Sequence, residues 1–362
     1  MTSPPAESAA PLAMPIRPAR PPMSAARLAL WPLLMALLLA VTLAAATLGA
    51  PVPLSDLWSA DSSRAAIAHA IFWDIRAPRV LAALLVGAAL AVSGSGLQSL
   101  FGNPLAEPYL LGISAGGALG ATVAAALNLP TFTAPLFHTP VESGAGLAFI
   151  GALGAAALVY RLGQGPSSLY QLGAGHDRAR LLLTGVALSA FLTAIMSLVI
   201  TLSGRIELAQ QATFWLLGGL TRATWGQDTV LLVALAVGLA LSLGSARDLN
   251  ALRAGEEEAA TLGVNSRRLR ARLLVATSLM AAASVAAAGL IGFIGLLAPH
   301  LVRMAGARDA RLLLPGSALC GATLLCACDA LARSIHPPVE IPVGILTALL
   351  GVPLFLGLAR RG

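Results

Sequence analysis

Residues able to do chemistry are scarce in this chain and gathered in a few places. The densest is residues 246–270, ARDLNALRAGEEEAATLGVNSRRLR, with four acids and five arginines in a sequence that is otherwise poor in charge. Glu256, Glu257 and Glu258 suit the positive N-terminal end of a short helix. Gly263 suits its C-terminal stop. Gly255, Ala259 and Leu262 complete the segment. Held rigidly between two spans, such a helix could dock in a groove of a partner; a solvated loop is the alternative. The other reactive types are scattered. His69, His138, His176, His300 and His336 show no HExxH-like spacing, and His300 after Pro299 suits a structural role. Cys320, Cys326 and Cys328 share one apolar stretch without a histidine or carboxylate pattern, so they read as small packing residues, not metal ligands.

The sequence has no lysine; all 23 basic residues are arginine. That excludes a GxxxxGK[ST] phosphate loop, whose lysine must reach the nucleotide, and lysine Schiff-base chemistry. If ATP is used, another chain binds it. Asp329 falls near a helix end, Glu107 follows Asn103-Pro104, and no span carries Asp, Glu or Arg near its middle. Ion-coupled transporters usually keep such groups in the membrane because only function justifies their cost. A self-powered secondary transporter or channel is therefore the weaker alternative, and a membrane-embedded hydrolase weaker still.

The elements that must position these residues are apolar. The chain of 362 residues is 57 % hydrophobic and 11 % charged, with mean hydropathy +0.82. Soluble domains are about 25 % charged. An ordinary cytosolic enzyme, a disordered protein and a nucleic-acid-binding domain are excluded. A bilayer-spanning helix needs about 20 apolar residues. Charge-poor runs at roughly 28–50, 80–100, 108–128, 144–160, 181–203, 229–246, 273–289, 290–302, 312–328 and 342–359 predict an all-α integral membrane protein of ten helices. Residues 273–302 contain no Asp, Glu or Arg. One helix over that stretch would be about 45 Å long, so the run GLIGFIG at 289–295 is taken as a break. Residues 1–26, with seven prolines, form a flexible cytoplasmic tail; 27–362 form the transmembrane domain.

Ten spans place both termini on one side. Arg64, Arg76, Arg79, Arg205, Arg222 and Arg333 then fall outside, and the other seventeen of the 23 arginines inside. This is a strong positive-inside bias; nine spans would put the arginines at 303–311 or at 360–361 on the wrong side. The basic charge is mostly topology, and the outer arginines are exceptions that need a reason. Residues 205–226, holding Trp215 and Trp225, are amphipathic and suit an interfacial helix. Gly112, Gly116 and Gly120, four apart, suit close helix packing.

Several motifs in order carry a resemblance. Arg76-Ala-Pro-Arg79 leads into VLAALLVGAALAVSGSGLQSLFGNPLAEPYLLGISAGGALGA; GEEEAATLGV, GLIGFIGLLAPHLVRMAG, RLLLPGSALCGA and EIPVGILTALLGVPLF follow. Together they resemble the FecCD-like permeases of type II ABC importers for iron-siderophores, haem and cobalamin, over residues 28–361 or so. The resemblance implies ten helices per subunit and a second permease copy in a homodimer or pseudo-dimer with the pathway at its interface. It also implies a cytoplasmic ABC ATPase dimer, a periplasmic substrate-binding protein and a location in the bacterial inner membrane. ATP and Mg belong to the partner ATPase; this chain is expected to bind no cofactor, no metal and no nucleic acid, and to catalyse nothing itself. It assigns Arg76, Arg79 and Arg333 to docking acidic residues of the binding protein, chemistry that suits arginine's bidentate fork; a lipid-headgroup or helix-end anchor is the alternative for each. It assigns Gly255, Glu256, Glu257, Glu258, Ala259, Leu262 and Gly263 to ATPase coupling, and Asn103 and Leu105 to a cytoplasmic gate. A simple helix break at Pro104 is the alternative for the gate. The Gly-rich loop before Leu181 lacks the polar pair of a second gate. Among cargoes, iron-siderophore is expected first, cobalamin or haem next.

Overall fold

A computed structural model describes residues 25–48, 54–59, 61–134, 139–163, 174–337 and 339–359. The proline-rich tail up to residue 24 and the Gly-rich loop at 164–173 lie outside the described residues. The chain opens with α1 (Ala25–Thr47) and a 3₁₀ turn (Leu54–Trp58), followed by α2 (Ser62–Ala70). Asp61 caps α2 by accepting from the Ser63 and Arg64 N–H groups. The Ser63 hydroxyl, donating to the same carboxylate, is the main cause of its pKa being held below the ordinary carboxylate range. A π-helical turn, Ile71–Arg76, joins α2 to α3 (Ala77–Phe101). Pro78 has no N–H for the i−4 carbonyl and its ring crowds that carbonyl, which accounts for the widened turn before it.

Next come α4 (Ile113–Ala126), a hairpin of β1 (Phe132–Ala134) and β2 (Thr139–Val141), α5 (Ser143–Gly163), α6 (Ala174–Ser203) and α7 (Ile206–Leu217). After them follow α8 (Trp225–Gly244), α9 (Ala246–Leu252), α10 (Glu256–Thr261), α11 (Ser266–Ala288), α12 (Ile294–Met304), α13 (Ala310–Ser334) and α14 (Val343–Ala359). Every expected span has a helix. Among the described residues seven stretches are long and apolar enough to cross a membrane, and three shorter apolar helices, in α4, α12 and α14, complete the set. The all-α class holds, the short hairpin between α4 and α5 being a connection between helices. One detail differs from the expectation. The expected interfacial helix over 205–226 is the shorter α7, which ends at Leu217 before a glycine with φ +66°, and Trp225 opens the next span instead.

The bundle is built around α3, which is buried along nearly its whole length. Small residues make this possible. A methyl group on Gly87 would collide with the Gly321 carbonyl of α13, and one on Gly116 with the Gly151 carbonyl of α5. Backbones pack directly where glycines meet, so dispersion contacts and close approach replace the missing hydrophobic drive between helices in lipid. The opposite composition marks the outside. In α6, Leu183, Val186, Phe191, Leu198 and Leu202 are exposed, as are Leu33, Leu37, Leu39 and Leu43 in α1. Apolar side chains on the outside of such a bundle suit lipid or a second apolar surface.

Candidate functional site

The charged residues fall at opposite ends of α3 and α13, helices of 25 residues each and about 37 Å long. At one end Arg76, Arg79 and Arg333 converge, each under 10 % exposed. Arg79 is the hub. Its Nε and Nη2 donate to Asp329 Oδ1 at 3.1 and 3.0 Å, and its Nη1 to both oxygens of Glu340 at 2.9 and 2.8 Å. Arg333 pairs through Nε with Asp329 Oδ2 at 3.1 Å and donates to the Ala45 and Leu48 carbonyls at 3.0 and 3.3 Å. Arg76 donates to the Ala46 carbonyl at 3.3 Å. The last carbonyls of a helix have no partner within it, and here two arginines from elsewhere in the chain supply donors to the end of α1. The three arginines therefore tie α1, α3 and α13 together. The expectation that they reach out to a docking protein meets a constraint: each already has partners within the chain, and only Glu340, at 40 % side-chain exposure, lies toward solvent.

At the other end the segment 246–270 is folded, not a solvated loop. Gly255, at φ +136°, leads into α10. Gly263, at φ +81°, closes it: its N–H donates to the Ala260 carbonyl at 2.9 Å and the Val264 N–H to the Ala259 carbonyl at 3.0 Å. This 6→1 and 5→2 pair is a Schellman stop, which glycine alone enters without strain. Asn265 then caps α11, accepting from the Arg268 N–H at 3.0 Å. Ala259 is fully buried, and Glu256 pairs with Arg270 at 2.8 Å. Glu257 and Glu258 help line an open groove, and Leu262 is 70 % exposed. The helix is thus clamped on its inner face while presenting acids and one large apolar side chain outward.

Near this end α3 stops at Gly102, φ +61°. Asn103 Oδ1 accepts from the Leu105 N–H at 2.9 Å, and Leu105 is 48 % exposed. The loop runs on to Gly112, φ +75°. Within it are two residues that sequence reasoning passed over as ligands of the backbone. Glu107 Oε1 accepts from the Phe293 N–H at 2.9 Å. The Tyr109 hydroxyl donates to the Ile291 carbonyl at 2.9 Å and accepts from the Ile291 N–H at 3.2 Å. These serve the irregular stretch between α11 and α12. Non-helical backbone among packed spans must find partners; Trp215 supplies another, its carbonyl accepting from the Leu290 N–H at 2.9 Å. The signal was present: a Gly-rich break inside an apolar run demands donors and acceptors from somewhere. Asp228, 2 % exposed in the first turn of α8, was also passed over; it accords with the helix N-terminus.

A model of the FecCD transport family matches residues 34–361. The hemin transport system permease protein HmuU of Yersinia pestis is 43 % identical over 335 residues, 91 % of this chain and 94 % of that one. The cobalamin import system permease protein BtuC of Halobacterium salinarum is 43 % identical over 294 residues, 81 % of this chain and 74 % of that one. Among solved structures, an inward-facing conformation ascribed to a metal-chelate type ABC transporter superposes with TM-score 0.77 at 31 % identity, covering 92 % of this chain and 99 % of the other.

Proposed function

This chain belongs to the FecCD transport family, and from that premise we propose how, as the membrane permease of a type II ABC importer, it works and with whom. The partners are two ATPase subunits on the α10 end, a substrate-binding protein on the Arg79 end, and a second copy of the permease. The membrane is the bacterial inner membrane, with the α10 end and both termini in the cytoplasm. The observation that carries the reading is the mounting of α10. A six-residue helix fixed by a Schellman stop, a buried Ala259 and the Glu256–Arg270 pair transmits force to α11 instead of yielding to it. Leu262 and the outward acids offer a partner one apolar anchor with a charged rim, the anatomy of a protein–protein contact.

ATP binding and hydrolysis in the partners displace α10, and the bundle switches between outward and inward openings. Asn103 and Leu105, a small polar and an apolar residue on a loop hinged by two glycines, close the cytoplasmic end without gripping cargo. The binding protein approaches over Glu340, and its carboxylates exchange with Glu340 for the Nη1 edge of Arg79. The cargo is a bulky metal chelate. Relatives named for hemin and cobalamin move haem ahead of iron-siderophore as the first compound to test.

The test is co-expression with the adjacent ATPase subunits. Leu262→Glu, on a 70 % exposed side chain, should leave the permease folded but cost at least about 1–2 kcal/mol of association, lowering ATPase recovery in pull-down about fivefold or more. Full recovery with normal haem uptake in proteoliposomes would overturn the coupling assignment.

A further inference from the structure

Between the coupling segment and the gate loop the structure offers one continuous set of contacts that runs through α12. It begins at α9. Asn250 bridges to the turn before α13: its Nδ2 donates to Asp309 Oδ1 at 2.8 Å, and its Oδ1 accepts from the Ala310 N–H at 2.9 Å. The Arg253 guanidinium donates to the Arg308 carbonyl. These contacts land on the turn that joins α12 to α13: Asp309 is the N-cap of α13 and Ala310 its first residue, while the opposite end of the turn closes α12. Gly306, φ +90°, donates to the Arg303 carbonyl at 3.0 Å and Ala307 to the Val302 carbonyl at 3.2 Å, a second Schellman stop.

α12 itself has 11 residues, so it is a rod of about 16 Å, half the length of its neighbours. Its far end is not continuous with α11. Phe293 opens it in a left-handed conformation, φ +68°, and the stretch from Gly289 to Phe293 carries no helix. What holds that end is the gate loop. Glu107 takes the Phe293 N–H, acting as an N-cap supplied from another segment, and Tyr109 grips both backbone groups of Ile291. The same loop carries Asn103 and Leu105 and is bounded by the left-handed glycines Gly102 and Gly112, where a chain can pivot at low cost. α12 touches α3 where Gly94 meets Gly295, and Gln98 of α3 ties the two helices: its Nε2 donates to the Gly295 carbonyl at 3.0 Å, a carbonyl that Pro299 leaves without a helical donor, and its Oε1 accepts from Arg303.

We propose that α12 is the link between ATPase and gate: displacement of α9 and α10 moves the 305–309 turn, α12 moves as a rod, and Glu107 and Tyr109 carry the gate loop with it. Glu107 and Tyr109 are positioning residues; neither touches cargo. The inference rests on the importer reading and on the gate assignment of Asn103 and Leu105.

The experiment uses the permease with its ATPase subunits in nanodiscs and a Leu105→Cys reporter. The three native cysteines are buried, so a membrane-impermeant maleimide reads the reporter. The quantity is the ratio of labelling rates between nucleotide-free and vanadate-trapped complex. Glu107→Ala and Tyr109→Phe should each shrink that ratio about two- to thirtyfold, the range of couplings carried by positioning residues. Glu107→Gln should preserve it, because the amide oxygen still accepts from Phe293. Asn250→Ala should shrink it as well, and its combination with Glu107→Ala should shrink it no further than the larger single change, since both cut one chain of contacts. If Glu107→Ala does not assemble, Tyr109→Phe, the loss of one hydroxyl, decides. An unchanged ratio in Tyr109→Phe, or fully additive losses in the double variant, overturns the link. A reporter insensitive to nucleotide in the otherwise unaltered protein overturns the gate assignment, and the link falls with it. Loss of ATPase association in that protein would instead indict the importer reading.

Discussion

Removing the carboxylate of Asp329 tests whether the arginine cluster holds the bundle together. Asp329 is 1 % exposed and serves two buried guanidinium groups, with Arg79 at 3.0 Å and Arg333 at 3.1 Å. Taking one partner from a buried pair leaves an uncompensated charge and costs about 3–5 kcal/mol. In Asp329→Ala both arginines retain something, Arg79 its Glu340 and Arg333 two carbonyls of α1. The lower end, about 3 kcal/mol, is therefore expected. Glu340 gives the internal control. It pairs with the same Arg79, at 2.8 Å, but its side chain is 40 % exposed. A solvated pair of that kind contributes about 0–1 kcal/mol. At about 1–2 °C per kcal/mol for a chain of this length, Asp329→Ala should lower Tm by about 3–6 °C and Glu340→Ala by about 2 °C or less. Thermal unfolding in detergent, followed by monodispersity on size exclusion, measures both. Equal losses in the two variants would refute the reasoning, since burial would then not decide the strength of the clasp.

Two other perturbations follow from the same geometry. If binding-protein carboxylates compete with Glu340 for Arg79, Glu340→Ala should tighten binding of that protein by up to about fivefold, the equivalent of the roughly 1 kcal/mol that such a pair contributes; titration of stimulated ATPase activity measures it, and weakened binding would count against exchange at Arg79. Gly263→Ala puts a Cβ at φ +81° and should cost about 1–2 kcal/mol, read as a lower Tm; no loss would mean the Schellman stop is not what fixes α10.

What was legible in the sequence was local. The ten apolar runs each found a helix because an uninterrupted run needs only its own residues to be recognised. Gly263 was legible as a stop for the same reason: the carbonyls of Ala260 and Ala259, which accept from Gly263 and Val264, lie within four residues of it. The Gly-rich break at 289–295 announced that a helix ends, but not that the chain then runs irregularly to a short α12, because that depends on Tyr109 and Glu107, 182 and 186 residues away. The arginines show the limit most clearly. Their number, and their place at the end opposite the coupling segment, follow from counting charge along the chain. Their burial does not, since Arg79 meets Asp329 and Glu340 across 250 and 261 residues. Trp215 lies in α7 as expected, but Trp225 was misplaced for a related reason: its Nε1 donates to the Trp73 carbonyl freed by the π turn, at 2.9 Å, and that carbonyl is invisible until the turn exists.

The way α1 is fastened bears on the order in which the chain must assemble. Among the described helices it comes first, yet it shows most of its flank to the surroundings; the Ala46 carbonyl meets Arg76 only 30 positions on, but those of Ala45 and Leu48 wait for Arg333, 288 positions past Ala45. Until synthesis has delivered that arginine, the helix is tethered at its end by Arg76 alone, so its full latch forms late in elongation.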